Sequence, residues 1–223
     1  MRKDIVALVP VKASSESIKN KNTRLFGDTS LFELKLRQLK GVKGFSKVIV
    51  SSEDERLLET AKANGFNVHR RDPKYSTSTV PMSEVYSYIA SQIQGEHIAW
   101  VNVTNPLAGP EIYSEAVKIY ESLDQRFDCL LSACEVKEYL FYNGSPVNFK
   151  PNPWPRSQDL KGVYALSFVI NILRREDMVK WGSCVGSKPY FYLLDPVIST
   201  DVDFQWNFDF CEMVYKKHKN RHE

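Results

Sequence analysis

The sequence predicts an α/β domain with a mainly parallel sheet covered by helices, and three observations carry that prediction. Within the first seventy residues, short β-branched runs alternate with segments of helical period, the order that builds right-handed βαβ units. The strands read as continuous apolar runs, Ile5-Val6-Ala7-Leu8-Val9 first among them, as strands buried on both faces do. Polar residues gather directly after those runs, at the strand ends where open α/β sheets bind their ligands.

The first strand gives way to Pro10-Val11-Lys12-Ala13-Ser14-Ser15-Glu16-Ser17-Ile18-Lys19-Asn20-Lys21-Asn22. Backbone N–H groups and hydroxyls of such a loop can cradle phosphate oxygens while Lys12, Lys19 and Lys21 supply charge, although an ordinary solvated loop fits the same residues. Residues 31–39 have apolar side chains at helical spacing, with Thr29 or Ser30 as N-cap and Gly41 and Gly44 as the stop. Residues 47–51 read as the second strand, residues 51–55 open a helix that ends near Gly65, and 66–69 form a third strand. Residues 70–81 make a long connection of cations and hydroxyls, and ordered connections of that length tend to be functional.

A helix over 82–89, a strand over 97–103, a turn at Thr104-Asn105-Pro106-Leu107 and a helix from 110 to 123 follow. Residues 129–134 are the next strand. From 135 to 155 the periodicity fails, and Tyr139, Phe141, Tyr142, Phe149 and Trp154 crowd into a Pro/Asn/Gly-rich stretch. That composition suits a partner contact, a substrate wall or a locally folded cover. Residues 163–173 and 189–194 are apolar strands, and an amphipathic helix closes the chain.

With 223 residues the chain can bury one sizeable core, so a single domain over 1–223 is expected, residues 135–165 forming an irregular excursion. A net charge of +3 is too weak to argue for nucleic acid, and the basic run 216–219 reads as a solvated helix end. No apolar run approaches the ~18 residues that suggest a membrane span. Met1-Arg2-Lys3-Asp4 leads into a strand without a secretory apolar region, so a cytoplasmic location is expected. Cys129, Cys134, Cys184 and Cys211 lack CxxC spacing, which favours free buried thiols over zinc or disulfides. A dinucleotide-binding dehydrogenase is disfavoured because no GxGxxG follows the first strand.

Chemistry concentrates again in Ser199-Thr200-Asp201-Val202-Asp203-Phe204. Alternate residues of an extended segment point the same way, so Asp201 and Asp203 present two carboxylates on one side. Oxygen ligands of this kind suit Mg²⁺. A helix cap at Asp203 and a surface ion pair at Asp201 would account for the same residues.

This segment, with Asp209 beyond it, resembles the S-I-D-I-D-T-x-x-D-F end of the acylneuraminate cytidylyltransferases, the CMP-sialic acid synthetase family. The opening loop is similar to that family's P-A-R-x-x-S-K-x-x-x-x-K-N, with Pro10, Ser15, Lys21 and Asn22 in register. Thr104-Asn105-Pro106-Leu107 resembles its Q-P-T-S-P-L-R, Arg156-Ser157-Gln158-Asp159-Leu160 its R-x-Q-D-L, and residues 188–192 also fit family usage. The resemblance spans nearly the whole chain in order. It implies a Rossmann-like three-layer α/β/α nucleotidyltransferase fold, a small dimerisation excursion, and a homodimer. It also implies Mg²⁺-dependent transfer of CMP from CTP to a hydroxyl of a small acidic sugar, with release of pyrophosphate, in surface-polysaccharide biosynthesis.

By the same resemblance, Lys12, Lys21, Asp201 and Asp203 would be catalytic, the two aspartates holding the metal. Pro10, Lys12, Ser15, Lys21, Asn22, Arg71 and the Ser83 neighbourhood would bind the nucleotide. Asn102, Thr104, Arg156, Gln158, Tyr164 and Ser167 would face the acceptor, and neither nucleic acid nor membrane would be a partner. The chain departs from the pattern at Lys12 (family Arg), Glu16 (Lys), Asn102 (Gln), Ala108 (Arg) and Phe168 (Gly). The phosphate and metal machinery is thus mostly kept and the acceptor pocket altered, so an acceptor other than ordinary N-acetylneuraminic acid is expected. Another acidic acceptor, another base, or a non-catalytic nucleotide-binding homologue are the alternative readings.

Overall fold

The computed structural model describes residues 3–15 and 17–219. The chain runs β1 (Ile5–Pro10), a small hairpin of β2 (Leu25–Phe26) and β3 (Thr29–Ser30), then α1 (Leu31–Lys40), β4 (Lys47–Ser52), α2 (Glu55–Ala63) and β5 (Asn67–Arg70). A 3₁₀ turn at Pro73–Ser76 leads to α3 (Met82–Gln92), β6 (His97–Trp100), α4 (Pro110–Ser122) and β7 (Cys129–Glu135). The excursion holds only the hairpin of β8 (Phe141–Tyr142) and β9 (Ser145–Pro146) and a 3₁₀ turn at Ser157–Asp159. Then come β10 (Tyr164–Arg174), α5 (Arg175–Trp181), β11 (Pro189–Leu193) and α6 (Gln205–Lys219).

The central sheet has seven strands in the order β11-β7-β10-β6-β1-β4-β5. All its pairings are parallel except those of β10, which runs antiparallel to both β6 and β7. The expected mainly parallel, helix-covered sheet is therefore what forms. β1 lies inside the sheet between β6 and β4, and Ile5 through Val9 are inaccessible to solvent, as the unbroken apolar run requires. One apolar cluster packs α1, α4 and α6 on one face, with Phe32, Tyr113 and Phe208 among its members. A second packs α3 and α5 on the other, around Ile89, Trp100 and Met178.

Local chemistry explains the boundaries. Ser30 is the N-cap of α1, its hydroxyl accepting from the Glu33 N–H, and such a cap contributes about 1 kcal/mol. Gly27 turns the β2–β3 hairpin at φ +62°, and a side chain there would strike the Tyr215 ring of α6. The second helix starts later than residues 51–55 suggest. β4 continues to Ser52 and Asp54 is the cap, which leaves Glu53 outside the helix. Strand β6 stops at Trp100 instead of reaching Val103, although the Val101 N–H still donates to the Leu8 carbonyl. The pairing of β10 with β7 slips between Leu166 and Asn171, where Phe168 adopts a positive φ and the Ser132 hydroxyl takes the Ile170 N–H. The four cysteines are free thiols, three of them buried. No helix among the described residues is long and apolar enough to cross a membrane.

Candidate active site

Two adjoining depressions open at the carboxyl ends of β1, β5 and β6. The larger, about 530 Å³, is lined by Pro10, Lys12, Ser14, Ser15 and Ser17 of the loop after β1 together with Lys21, Asn22, Ser76, Ser78, Met82, Asn102 and Thr104. The smaller, about 180 Å³, shares Pro10, Lys12, Met82 and Asn102 and adds Arg71, Tyr75, Tyr86 and Trp100. A third hollow, about 760 Å³, lies by the opposite sheet end near Lys3, His97 and Arg174, and none of the motif residues line it.

The loop after β1 is held by its own side chains. Asn22 is buried and its Nδ2 donates to the Lys12 carbonyl at 2.9 Å, while Asn20, at φ +54°, accepts from the backbone of Thr23 and Arg24. The fold thus brings Lys12 and Ser15 to the cleft from one end of the loop and Lys21 from the other. Lys21 is mostly buried, and its Nζ donates to the Val202 carbonyl at 2.5 Å and to Asp203 Oδ1 at 3.4 Å. Glu16 lies outside the described residues.

Arg71, only 2 % exposed, closes the other wall. Its guanidinium donates to the Val11 carbonyl (2.7 Å) and to Glu53 Oε2 (2.8 Å), and Glu53 also accepts from the Ser76 hydroxyl and the Ala13 N–H. Burial by itself would raise the Glu53 carboxyl, but the Arg71 guanidinium and the other donors more than offset it, and its pKa lies below the ordinary value. The sequence pattern puts Glu53 in a helix start, whereas the structure leaves it between β4 and the Asp54 cap. Its position after an apolar strand, at the ligand edge, was the available signal.

Asp201 and Asp203 sit on different ground despite their alternation. Asp203 is 63 % exposed and faces Lys21, whereas Asp201 is largely buried and its Oδ1 has no hydrogen-bond partner. Burial pushes the Asp201 carboxyl up, with Asp203 adding to the shift and the Thr104 hydroxyl and Lys21 opposing it. Asp203 does not cap α6; the Phe204 N–H donates to Asn207 Oδ1. Among the described residues no set of three or more His, Cys, Asp or Glu side chains could hold a metal ion. The protein's own offering to a divalent ion here is this pair of carboxylates, one with an unpartnered oxygen. Phosphates and water would have to complete the shell, which is the habit of Mg²⁺.

Asn102 belongs to both depressions; its Oδ1 accepts from Trp100 Nε1, which leaves the amide donors for a ligand. Ser167 is buried at the slip in β10, where its carbonyl accepts from Asn105 Nδ2. The remaining positions fall elsewhere. Ser83 is exposed and packs on Gly182, while its neighbour Met82 lines the cleft. Arg156 forms a two-bonded ion pair with Asp159, Gln158 is exposed, and Tyr164 packs on Phe191 at 4.9 Å between centroids; none of them lines the cleft of this chain.

Residues 6–214 match the family model described as cytidylyltransferase. The chain belongs to the cytidylyltransferase family. It is 24 % identical over 217 residues to the N-acylneuraminate cytidylyltransferase A of Danio rerio, covering 93 % of this chain and 50 % of that protein. It is 25 % identical over 232 residues to the pseudaminic acid cytidylyltransferase of Campylobacter jejuni, covering 95 % and 96 % respectively. The chain thus spans about half the length of the vertebrate relative and nearly all of the bacterial one. In fold it is similar to a CMP:2-keto-3-deoxy-manno-octonic acid synthetase solved with CTP, with a TM-score of 0.69 at 11 % identity over 96 % of this chain and 99 % of that one. A cytidylyltransferase from Leptospira borgpetersenii superposes with a TM-score of 0.62 at 17 % identity, covering 97 % and 96 %.

Proposed function

We propose that this chain transfers CMP from CTP to a hydroxyl of a small acidic sugar, with release of pyrophosphate. The observation that carries the proposal is Lys21 meeting Asp203 beside a cleft that Lys12, Ser15 and Asn22 also line. That contact supports a reading in which cations for a triphosphate lie next to a carboxylate for a metal. Arg71, locked by Glu53, faces the smaller depression with Tyr75 and Trp100, a setting suited to a planar base.

Mg²⁺ on Asp201 and Asp203 is part of the proposal; bound there it would withdraw charge from the phosphate under attack. The protein's own work is positioning and charge compensation. Lys21 exchanges Asp203 for phosphate oxygens when CTP arrives, and Lys12 meets the same phosphates from the other end of the loop. Asn102 and Thr104, with Ser167 behind them, hold the acceptor hydroxyl at the phosphorus.

The relatives' names support an acidic nine-carbon sugar as the class of acceptor. The departures at Asn102, Ala108 and Phe168 favour one other than ordinary N-acetylneuraminic acid. We also propose a homodimer joined through residues 135–165, in which Arg156, Gln158 and Tyr164 act from the excursion. The test is pyrophosphate release in a panel of nonulosonic and keto-sugar acids crossed with all four nucleoside triphosphates. Release with CTP and one acid, dependent on Mg²⁺, is expected. CTP binding by calorimetry without release for any pair would instead mark a non-catalytic homologue.

A further inference from the structure

The cleft residues described so far do not account for Lys35. It lies on α1 among Leu31, Phe32, Leu34, Leu36 and Leu39 and has no solvent exposure at all. Its Nζ donates to the Asn105 carbonyl at 2.8 Å and to the Tyr113 hydroxyl, with the Tyr113 ring centroid 4.8 Å away. The charge that acts on it is Asp201, which opposes the dominant effect of burial; burial brings the ammonium down to about 7. A desolvated ammonium without a carboxylate hydrogen bond is costly to fold around, and an apolar side chain of similar length would suit the same core better. Stability alone therefore gives no reason for a lysine here.

The turn it grips is the one that holds Asp201. Asn105 is fully buried, and its Nδ2 donates forward to the Ser167 carbonyl (3.0 Å) and the Thr200 carbonyl (3.3 Å). The Val202 N–H donates back to the Thr104 carbonyl at 2.9 Å, and the Thr104 side chain is among the groups that oppose the upward shift of the Asp201 carboxyl. Backbone groups on both sides of Asp201 are thus fastened to residues 104 and 105. One helical turn after Lys35, Gln38 Nε2 donates to the Pro106 carbonyl at 2.7 Å, so α1 holds this turn at two successive carbonyls.

We propose that Lys35 is a positioning residue for Asp201, acting from within the core through the Thr104–Asn105 turn. The inference rests on the cytidylyltransferase reading, in which Asp201 meets a divalent ion. Lys35→Met keeps the length and apolar stem but removes the donor that fixes the Asn105 carbonyl. Loss of such a supporting hydrogen bond behind a metal ligand typically costs about 10–100-fold in metal affinity or activity.

The test compares wild type and Lys35→Met by thermal melting, by Mn²⁺ binding in the presence of CTP followed by electron paramagnetic resonance, and by turnover. The expected result is an equal or higher melting temperature, Mn²⁺ binding weaker by about 10-fold, a fall in kcat and an unchanged KM for CTP at saturating metal. If Lys35→Met does not fold, Lys35→Ala takes its place, and added n-propylammonium, which replaces the missing stem and charge, restores Mn²⁺ binding. A lower melting temperature with unchanged Mn²⁺ binding and turnover would make Lys35 purely structural and overturn the inference, as would a Lys35→Ala defect that the amine does not relieve. A wild-type protein that binds neither CTP nor Mn²⁺ would overturn the cytidylyltransferase reading, and this inference with it.

Discussion

The wall of the cleft built from residues 10–22, 53 and 71–78 and the excursion of residues 135–165 treat their side chains in opposite ways. On the cleft wall, polar groups cross-link separate strand ends: Arg71 reaches Val11 and Glu53, Glu53 reaches Ala13 and Ser76, and Asn22 reaches Lys12. In the excursion, Tyr139, Phe141, Phe149 and Trp154 stack chiefly on one another, while Phe141 and Trp154 each remain 60 % exposed. The first is a surface whose polar groups are largely paired with one another within the chain. The second leaves apolar area in water, the state expected of a surface that a second copy covers.

The sharpest break in that comparison is Asp203→Ala. Its side chain is 63 % exposed, so the fold survives, while pyrophosphate release from CTP falls by about 10²–10³-fold, the scale of losing one electrostatic stabiliser in an active site. Glu53→Gln comes next, because it leaves a buried guanidinium without its carboxylate. The melting curve is expected to shift by about 1–3 kcal/mol of stability, and the KM for CTP to rise while kcat changes less. Its pH dependence is also determined. The Glu53 carboxyl is lowered from 4.5 in the folded protein, so its stabilisation is complete above that value and is lost as the pH falls through the depressed pKa. Acid unfolding of wild type includes this loss and that of Glu53→Gln does not, so the two melting temperatures should converge as the pH is lowered.

For the excursion, Phe141→Ser combined with Trp154→Ser should convert a dimer to a monomer in light scattering, with the melting temperature of the domain little changed. A monomeric wild-type mass at high concentration would remove the comparison altogether. The smallest effect is expected of Lys12→Arg, which keeps the charge and adds a planar fork toward the phosphates. A change in turnover of more than about tenfold, or 1.4 kcal/mol, would mean that Lys12 is tuned more finely than a point charge.

Much of this was legible in the chain. The apolar run of β1 puts its lysine-bearing loop at the carboxyl edge of the sheet, where the cleft opens, whereas the alternation of Asp201 and Asp203 does not reveal that one is exposed and the other has a buried, unpartnered oxygen. What escaped reading has definite causes. Helical periodicity registers apolar positions, so Lys35 passes as a polar residue between Leu34 and Leu36, and only packing against α4 reveals that it is buried. Helix α5 is short and charged at its start, and it ends at Gly182 with φ +58°; no amphipathic period announces it. The antiparallel direction of β10 follows from how the excursion returns to the sheet, which local sequence does not encode. Arg156 and Gln158 match a motif, yet both are exposed and Arg156 is paired with Asp159, which local sequence does not reveal.

In the proposed function, the loop after β1 and the Asp201–Asp203 segment form one site for a metal-bound CTP. A crystal grown with CTP and Mn²⁺, with the anomalous signal of manganese mapped, tests it most directly. The base is expected beside Arg71, the triphosphate along the loop after β1 with Lys21 swung from Asp203 onto it, and manganese on Asp201 and Asp203. Nucleotide bound elsewhere, or manganese absent from those carboxylates while CTP fills the cleft, would contradict it.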